Sequence, residues 1–479
     1  MPSPSPLVSP ATEAARDAAP VLAALTPSER GTLLRDLSDV LREHTGQLVA
    51  LAQEETHLDE TRLRGEVLRT SVQLDMFAEI AEEGAYLDVM IDRADAEALP
   101  APRPDVRRML APLGPVAVFT ASNFPFAFSV LGGDTASAIA AGCPVVIKAH
   151  EGHPRLTDLT AALAAEILPT GALSVVHGRE AGRALVTDPV VQAVGFTGST
   201  AGGRALFDLA AQRPDPIPFY GELGSLNPVV VTPGALVARG ADLVGEYIGS
   251  VTRSQGQLCT KPGLLFLPEG HGLDGTLHQA ISAAPPAPLL GPWIADAYGA
   301  TLNDLTAHPA VRRIGAVPTG SNGTGQPAHS PSAALLTVTA DDLRTHPELL
   351  RECFGPASTV VTYTSTEDLL AALRKVPGSL TATVHGQENM DEELARQIWS
   401  TLRAGRLIWN DWPTGVAVTR AMHHGGPWPA TTSPLHTSVG GTAVSRWLRP
   451  IAYQNMPEAL LPHALQTSNP WGVPQRTAS

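Results

Sequence analysis

Between residues 114 and 196, short apolar runs alternate with segments of helical composition, and this alternation limits the possible fold more than any other feature. The apolar runs cover residues 116–119, 145–147, 174–176 and 193–196, and the helical segments cover residues 126–141, 156–167 and 181–186. Strands that are apolar throughout and joined by helices are typical of a parallel sheet with both faces covered. The pattern restarts at residues 229–231, which predicts a second α/β region reaching about residue 427.

The remaining segments differ from this pattern. Residues 12–84 have helical periodicity, whereas residues 86–112 alternate short apolar and charged residues and contain four prolines, which predicts an extended arm. A further apolar run near Ile451 predicts a strand in the tail. Residues 1–11 are rich in Pro and Ser, and we expect a loose tail there.

Charge and hydropathy exclude several classes of partner. The chain has 33 Lys and Arg against 47 Asp and Glu, a net charge of −14, which disfavours binding to nucleic acid. It lacks an apolar stretch long enough to span a bilayer and the charged, apolar start of a signal peptide. We therefore expect a cytoplasmic protein that binds neither nucleic acid nor membrane.

The three cysteines, Cys143, Cys259 and Cys353, lack CxxC spacing, which argues against a disulfide framework and against a zinc site. Cys259 follows a helical segment and is flanked by polar residues and glycines, where a nucleophile would be accessible. Cys143 opens an apolar strand and Cys353 lies beside Phe354, so we expect both to pack in the core.

Two further polar residues stand at predicted strand ends, where ligands bind in open α/β sheets. Glu222, between Gly221 and Leu223, could activate a water, or it could be a solvated turn residue. Asn123 could donate to a developing oxyanion, or it could cap the next helix.

A nucleotide site is not obvious from the sequence, because no predicted strand is followed by a GxGxxG fingerprint. Residues 195–200, Gly-Phe-Thr-Gly-Ser-Thr, do lie between a strand and the helical segment 203–211. Small residues there let a phosphate approach the helix N–H groups, although a simple capped turn would look the same.

Taken together, these motifs resemble the aldehyde dehydrogenase superfamily over about residues 30–461, and they occur in the family order. The matching segments are 121–125 around Asn123, 146–148 followed by Glu151, 196–199 (Phe-Thr-Gly-Ser), 222–224 (Glu-Leu-Gly), 256–259 (Gly-Gln-Leu-Cys) and 352–356 (Glu-Cys-Phe-Gly-Pro). The resemblance implies an α/β fold with a Rossmann-like cofactor domain, an α/β catalytic domain and a β oligomerisation arm. The implied ranges are 1–85, 113–224 and 428–444 for the nucleotide-binding domain, 225–427 for the catalytic domain, and 86–112 with 445–479 for the arm and tail.

The resemblance also implies roles for individual residues. Cys259 would attack the aldehyde, Asn123 would hold the oxyanion, and Glu222 would activate the water that hydrolyses the thioester. The residues implied to bind the cofactor are Lys148, Glu151, Arg183, Gly198, Ser199, Glu352 and Phe354. Phe124, Arg253 and Thr260 are expected to contact the substrate.

Within the superfamily, four stretches (132–136, 148–150, 425–432 and 449–454) most resemble the 2-oxoglutarate semialdehyde dehydrogenases. Arg253, six residues before Cys259, replaces an apolar tunnel residue of better-known members. A cation there favours a substrate with its own carboxylate, or it could be an exposed helix-end arginine. Leu131 lies where that subgroup is expected to place a cation, and it would also suit a long-chain aldehyde dehydrogenase.

Cofactor choice between NAD and NADP stays open at this point. Glu151 would accept from the adenosine ribose hydroxyls and repel a 2′-phosphate, which favours NAD. Arg183 lies where family members that use NADP place an arginine, and the subgroup resemblance favours NADP.

Several alternatives remain. His150, His153, His423 and His424 do not complete a tetrahedral metal set at suitable spacing, so we expect no metal and interpret them as loop residues near the cofactor and substrate entrances. Cys259 with Glu222 could serve a thiol ester hydrolase or a CoA-acylating relative, and the fold could also carry a non-catalytic role. The arm and tail are implied to form a homodimer or homotetramer.

Overall fold

The computed structural model describes residues 5–315 and 329–477. Its helices are α1 (Ser9–Ala24), α2 (Pro27–Glu43), α3 (Thr45–Thr56), α4 (Glu60–Glu83), α5 (Gly133–Ala141), α6 (Pro154–Ala165), α7 (Arg179–Thr187), α8 (Thr200–Ala211), α9 (Pro233–Thr252), α10 (Asp274–Ala283), α11 (Pro292–Thr306), α12 (Ala340–Thr345), α13 (Thr366–Leu373) and α14 (Glu392–Thr401). Its strands are β1 (Val89–Asp92), β2 (Val106–Pro112), β3 (Val116–Phe119), β4 (Val145–Lys148), β5 (Leu173–Val176), β6 (Ala193–Thr197), β7 (Phe219–Glu222), β8 (Pro228–Val231), β9 (Leu264–Pro268), β10 (Arg312–Ile314), β11 (Ala334–Thr339), β12 (Ala357–Tyr363), β13 (Ser379–His385), β14 (Ala404–Trp409), β15 (Leu448–Gln454) and β16 (Gln475–Thr477).

The strands form three sheets. One is parallel in the order β5-β4-β3-β6-β7, a second has the order β10-β11-β12-β9-β8-β13-β14, and the arm has the order β15-β2-β1-β16. In the second sheet only the β10–β11 pair is antiparallel among the described residues. The predicted α/β class with parallel, helix-covered sheets is therefore confirmed. The domain boundaries stay a prediction, although each sheet lies inside one set of the predicted ranges.

Helices α2 and α3 pack against α4, the longest of the N-terminal helices, whereas α1 packs against β4 and β5. Thr26 and Glu29 form a capping box at the start of α2, and the Asp59 carboxylate accepts from the Arg62 N–H at the start of α4. Of the predicted tail, residues 1–4 lie outside the described residues. The prediction of a loose tail is wrong from Ser9 onward, because Pro10 is compatible with the first turn of α1 and Val8 is fully buried.

The helix predicted over residues 126–141 is wrong in its first half, because α5 begins only at Gly133. The N–H groups of Phe126 and Ala127 donate to the Glu66 carboxylate on α4, at 2.8 and 3.0 Å. The Ala127 carbonyl accepts from Gly133, so the preceding segment is folded as turns beneath α4. This detour brings the segment after β3 against α4.

The site is created where the first two sheets meet. β3, β4, β6 and β7 are parallel, so the segments that follow them emerge at one edge. β7 ends at Glu222 and β8 begins at Pro228, so the carboxyl edge of the first sheet faces the amino edge of the second. The loops preceding β9 and β12 carry Cys259 and Glu352 to this junction.

Candidate active site

Cys259 lies on a tight loop between α9 and β9. Ser254 and Gln255 both have left-handed backbone angles, with φ of 52° and 55°, which is uncommon for residues other than glycine. Gly256 is also left-handed, and a Cβ there would lie 2.1 Å from the Gly355 carbonyl oxygen, so only glycine fits. Asn227 fixes the loop by donating to the carbonyl of Cys259 at 2.8 Å.

A continuous chain of polar atoms joins Cys259 to Glu222 through His424. The Cys259 Sγ lies 3.3 Å from His424 Nε2, and the same nitrogen lies 2.8 Å from Glu222 Oε1. The Ser438 hydroxyl donates to the other Glu222 oxygen at 2.5 Å. His424 and Glu222 are 2% and 4% exposed, so these contacts are shielded from solvent. This nitrogen holds one proton at a time, so it can accept a proton from the thiol or present one to the carboxylate, but not both at once.

The pKa values of Cys259 and Glu222 are shifted in opposite directions. Burial raises the pKa of the Cys259 thiol well above its ordinary value, and the charge of Glu222 raises it further. Burial also opposes ionisation of Glu222, but the neighbouring His424 and the hydroxyl of Ser438 bring the net pKa of that carboxyl below its usual value. The positive charge of Arg69 acts to lower the pKa of Cys259. The resting site thus favours a carboxylate and a protonated thiol.

Asn123 follows β3 and is held against the nucleophile loop. Its side-chain Nδ2 donates to the Gln257 carbonyl at 2.9 Å, two residues before Cys259, and the residue is only 8% exposed. One further N–H of this amide is available for another acceptor. The contact orients the amide beside the loop that carries the thiol.

A cavity of about 720 Å³ opens beside Cys259. Phe124, Arg253 and Thr260, which the sequence indicated for substrate contact, all line it. Arg253 is on the exposed side of this cavity, whereas Thr260 is 2% exposed. The cavity therefore combines the sulfur with aromatic and cationic surfaces.

Sequence reasoning missed three further charged residues in this wall. Arg62, Glu66 and Arg69 on α4 also line the cavity. The place where a cation was expected, Leu131, is instead part of the main hydrophobic core and 2% exposed. The spacing of Arg62, Glu66 and Arg69 along one helical face was the available signal, but it is also typical of a solvated face.

The residues indicated for the adenosine half of a nucleotide lie along the carboxyl edge of the first sheet. Lys148 ends β4, is 9% exposed, and its Nζ lies 2.9 Å from the Glu151 carboxylate. Gly198 and Ser199 are exposed at the start of α8, where the Ser199 hydroxyl accepts from the Gly202 N–H. Arg183 is exposed on α7. These positions leave the edge open to a ligand.

Of the residues indicated for the nicotinamide half, Glu352 lines a second cavity of about 410 Å³, together with Gly224. A Cβ at Gly224 would lie 2.4 Å from Glu352 Oε2, so a side chain there would displace this carboxylate. Burial raises the pKa of Glu352 to about 7, against the opposing charge of Lys261. Phe354 is half-buried two residues further on. Gly224, the half-buried Glu352 carboxyl and the amino end of α8 fit a nicotinamide dinucleotide.

A comparison with protein families decides which family this site belongs to. The aldehyde dehydrogenase family model matches residues 5–430. The chain belongs to the aldehyde dehydrogenase family. Alpha-ketoglutaric semialdehyde dehydrogenase 2 of Azospirillum brasilense is 44% identical over 477 residues, 97% of this chain and 90% of that relative. Alpha-ketoglutaric semialdehyde dehydrogenase of Acinetobacter baylyi is 39% identical over 459 residues, 93% of this chain and 86% of that relative.

Solved structures of the aldehyde dehydrogenase fold superpose over most of the chain. Aldehyde dehydrogenase C of Pseudomonas syringae, with NAD+ and octanal bound, has a TM-score of 0.80 at 21% identity and covers 95% of this chain and 90% of its own. 1-Pyrroline-5-carboxylate dehydrogenase from Thermus, with NAD bound, has a TM-score of 0.78 at 20% identity. The match covers 93% of this chain and 84% of the Thermus chain. The predictions of this family, of its fold and of an aldehyde-oxidising enzyme that uses a nicotinamide nucleotide are confirmed.

In this aldehyde dehydrogenase the interpretation of the histidines as entrance loops is wrong in two places. His424 lies at the nucleophile, because residues 424 and 438 are joined by backbone pairing that turns the segment inward. His153 is fully buried and its Nε2 lies 2.9 Å from the Ala121 carbonyl. Glu222, Cys259 and His424 also bring three potential ligand atoms within 4.8 Å of one another, which spacing along the chain did not indicate. The absence of a metal stays a prediction.

No described helix has both the length and the apolar character needed to cross a bilayer.

Proposed function

We propose that this aldehyde dehydrogenase oxidises 2-oxoglutarate semialdehyde to 2-oxoglutarate through a thioester on Cys259. The observation that carries the proposal is the contact chain from Cys259 through His424 to Glu222, at the inner end of a cavity lined by arginines. The names of the two relatives with 44% and 39% identity support the substrate. Guanidinium groups are suited to hold the substrate's own carboxylate.

In the first half-reaction the Cys259 thiol transfers its proton to His424 Nε2, which lies 3.3 Å away and carries no proton in the reacting tautomer, and the thiolate attacks the aldehyde carbon. The Asn123 amide and a backbone N–H of the nucleophile loop donate to the resulting oxyanion. A nicotinamide held beside Glu352 and Phe354 would supply the acceptor for the hydride on this carbon. The loss of hydride leaves an acyl group on the sulfur.

In the second half-reaction Glu222 withdraws a proton from the water that attacks the thioester. The carbon–sulfur bond breaks, the thiolate leaves, and the carboxylate product carries the water oxygen. One turnover consumes the aldehyde, one water and one oxidised nucleotide, and releases the carboxylate, the reduced nucleotide and two protons. Once Nε2 has taken up the thiol proton, the His424 imidazolium faces Glu222 Oε1 at 2.8 Å, and this cation and the Ser438 hydroxyl keep the Glu222 carboxylate ionised.

Lys148, Glu151, Gly198, Ser199, Glu352 and Phe354 hold the nucleotide in this proposal. The Lys148–Glu151 ion pair partly neutralises the carboxylate that would repel a 2′-phosphate. Arg183 follows Gly182, whose Cβ position lies 3.4 Å from the Lys148 side chain, so α7 packs beside that pair. These two features favour use of NADP along with NAD.

A broad-specificity or long-chain aldehyde dehydrogenase is the second candidate. Phe124, Phe128 and Val416 line the same cavity, and about 720 Å³ exceeds the space that a five-carbon substrate fills. These apolar surfaces would accept an alkyl chain. The second cavity, lined by Gly224 and Glu352, disfavours a thiol ester hydrolase, because such an enzyme needs no nucleotide site.

The test mixes the enzyme with glutarate semialdehyde, 2-oxoglutarate semialdehyde or butanal and with NAD or NADP, and follows the absorbance of reduced nucleotide. The proposal expects the highest kcat/KM with 2-oxoglutarate semialdehyde, activity with both nucleotides, and loss of turnover in Cys259→Ala. Cys143→Ala is the matched control, because that thiol is buried in the main hydrophobic core, away from the site. Preference for butanal would favour the second candidate, and turnover by Cys259→Ala would exclude the mechanism.

The arm is proposed to pair with the arm of a second copy. β15 and β16 are the two edges of its sheet, and β15 has no strand on its outer side among the described residues. A homodimer or homotetramer would cover this edge, and light scattering would give its mass. A cytoplasmic location remains a prediction.

A further inference from the structure

We propose that Arg62 and Arg69, oriented around Glu66 on α4, form the subsite that binds the carboxylate of an acid semialdehyde, with Arg253 at its outer side. This inference rests on the proposed function and deepens it, because it names the residues that select acid-bearing aldehydes. None of the three α4 residues was indicated by the sequence motifs. Their arrangement follows from the structure alone.

Arg62, Glu66 and Arg69 lie on one wall of the cavity. Positions 62, 66 and 69 are four and three residues apart, so their side chains share one face of α4. That face forms a wall of the cavity that contains Cys259. The Arg62 guanidinium lies 5.1 Å from the ring centre of Phe124, and the Arg69 guanidinium lies 5.6 Å from that of Phe128. Both cations are thus fixed against aromatic faces of the same cavity.

Each of the two arginines has an N–H donor without an acceptor among the described residues. Arg62 Nη1 and Arg69 Nη1 are buried and have no hydrogen-bond partner among the described residues. Glu66 does not provide the missing acceptor, because its Oε1 accepts two backbone N–H groups and its Oε2 lies 3.9 Å from Arg62 Nη2. Buried guanidinium N–H groups that lack acceptors are costly. A carboxylate ligand would supply them.

The lining of the cavity carries more positive than negative charge. Five charged residues line the cavity, the cations Arg62, Arg69 and Arg253 against the carboxylates Asp59 and Glu66, which leaves an excess of positive charge. Arg62 and Arg253 act on each other as like charges, and burial lowers the pKa of both Arg62 and Arg69. An anion placed between these groups relieves both effects. An uncharged aldehyde would not.

The two arginines act on different groups. Arg69 interacts electrostatically with both Cys259 and Glu222. Arg62 donates from Nη2 to the Asn123 carbonyl and interacts with Arg253 at the outer side. In a five-carbon substrate four carbon–carbon bonds separate the aldehyde carbon from the carboxylate carbon, a span of roughly 5 Å. Arg69 is therefore assigned to the carboxylate of four- and five-carbon semialdehydes. Arg62 and Arg253 are assigned to longer acids and to capture at the entrance.

The test measures a specificity ratio, kcat/KM for glutarate semialdehyde divided by kcat/KM for butanal, in the full-length enzyme. Loss of a charge-assisted, forked contact is expected to lower this ratio about 10- to 100-fold in Arg69→Met and to a smaller extent in Arg62→Met. Arg69→Lys, which keeps the charge without the fork, should fall between Arg69→Met and the wild type. Arg64→Met is the control, because Arg64 lies on the same helix with a side chain that is 52% exposed, and its ratio should not change.

A second measurement is made first on the wild-type enzyme. Glutarate should inhibit its oxidation of butanal competitively. The inhibition constant should then rise in each Arg62 or Arg69 variant that folds. Equal ratios in wild type, Arg62→Met and Arg69→Met would overturn the assignment, as would a wild type that glutarate does not inhibit. The proposed function fails separately, if the wild type reduces no nucleotide with either aldehyde.

Discussion

Replacing His424 by Gln tests the polar chain that joins the thiol to the carboxylate. His424 Nε2 lies 3.3 Å from Cys259 Sγ and 2.8 Å from Glu222 Oε1, and the residue is 2% exposed. Gln keeps a donor of similar reach but cannot take up the thiol proton. The loss of a positioned proton acceptor is expected to slow the chemical step about 10²- to 10⁴-fold. Because the Gln amide can still donate to Glu222, the loss falls mainly on the proton transfer from the thiol.

Stopped-flow absorbance separates the two half-reactions. In His424→Gln both the first-turnover formation of reduced nucleotide and the steady-state rate should fall, because the imidazole contacts the groups used in each step. His423→Gln is the matched control, since that neighbouring side chain is only partly buried. A double variant with Glu222→Gln should be no more than about tenfold slower than the slower single variant, because the two groups act as a unit. A first-turnover rate in His424→Gln within about threefold of the wild type would refute the proton transfer to His424.

Two other predictions concern the oxyanion and the cofactor. Asn123→Ala should lower kcat about 10²- to 10³-fold with little change in the nucleotide KM, measured by steady-state kinetics, because an oxyanion donor acts mainly in the transition state; a comparable loss in nucleotide affinity would instead indicate a structural role. Glu352 has a pKa of about 7, so its carboxyl gains a proton as the pH falls and loses the ability to accept from ribose hydroxyls. The nucleotide KM should therefore rise about tenfold between about pH 8 and about pH 6, and Glu352→Gln should have a high KM that does not change with pH. A wild-type KM independent of pH would contradict this reading.

The sheets and the spaced motifs could be predicted because both depend on local sequence. Continuously apolar strands such as β3 and β4 have a pattern that few other structures share, and Cys259 was distinguished by its polar, glycine-flanked loop. The start of α5 could not be predicted in this way. Gly132 is extended and the Gly133 N–H donates to the Ala127 carbonyl, which folds the preceding residues as turns. The Glu66 carboxylate, about 60 residues earlier in the chain, holds these turns against α4.

The polar side chains that complete the site were missed for a related reason. His424 is 165 residues from Cys259, and its role depends on the inward turn of the loop before β15. Arg62 and Arg69 have the spacing of an ordinary exposed helical face, and only the packing of α4 over the turns after β3 makes that face the wall of a cavity. Contacts between residues so far apart in the sequence depend on tertiary packing and not on local propensity.

The most direct test of the account is the fate of the acyl group in Glu222→Gln. The variant is mixed with glutarate semialdehyde and oxidised nucleotide, quenched in acid, and analysed by intact-mass and peptide mass spectrometry. The account predicts one acyl group per chain, bound to the peptide that contains Cys259 and absent when the nucleotide is omitted. An unmodified protein with normal turnover, or an acyl group on Cys143 or Cys353, would contradict it.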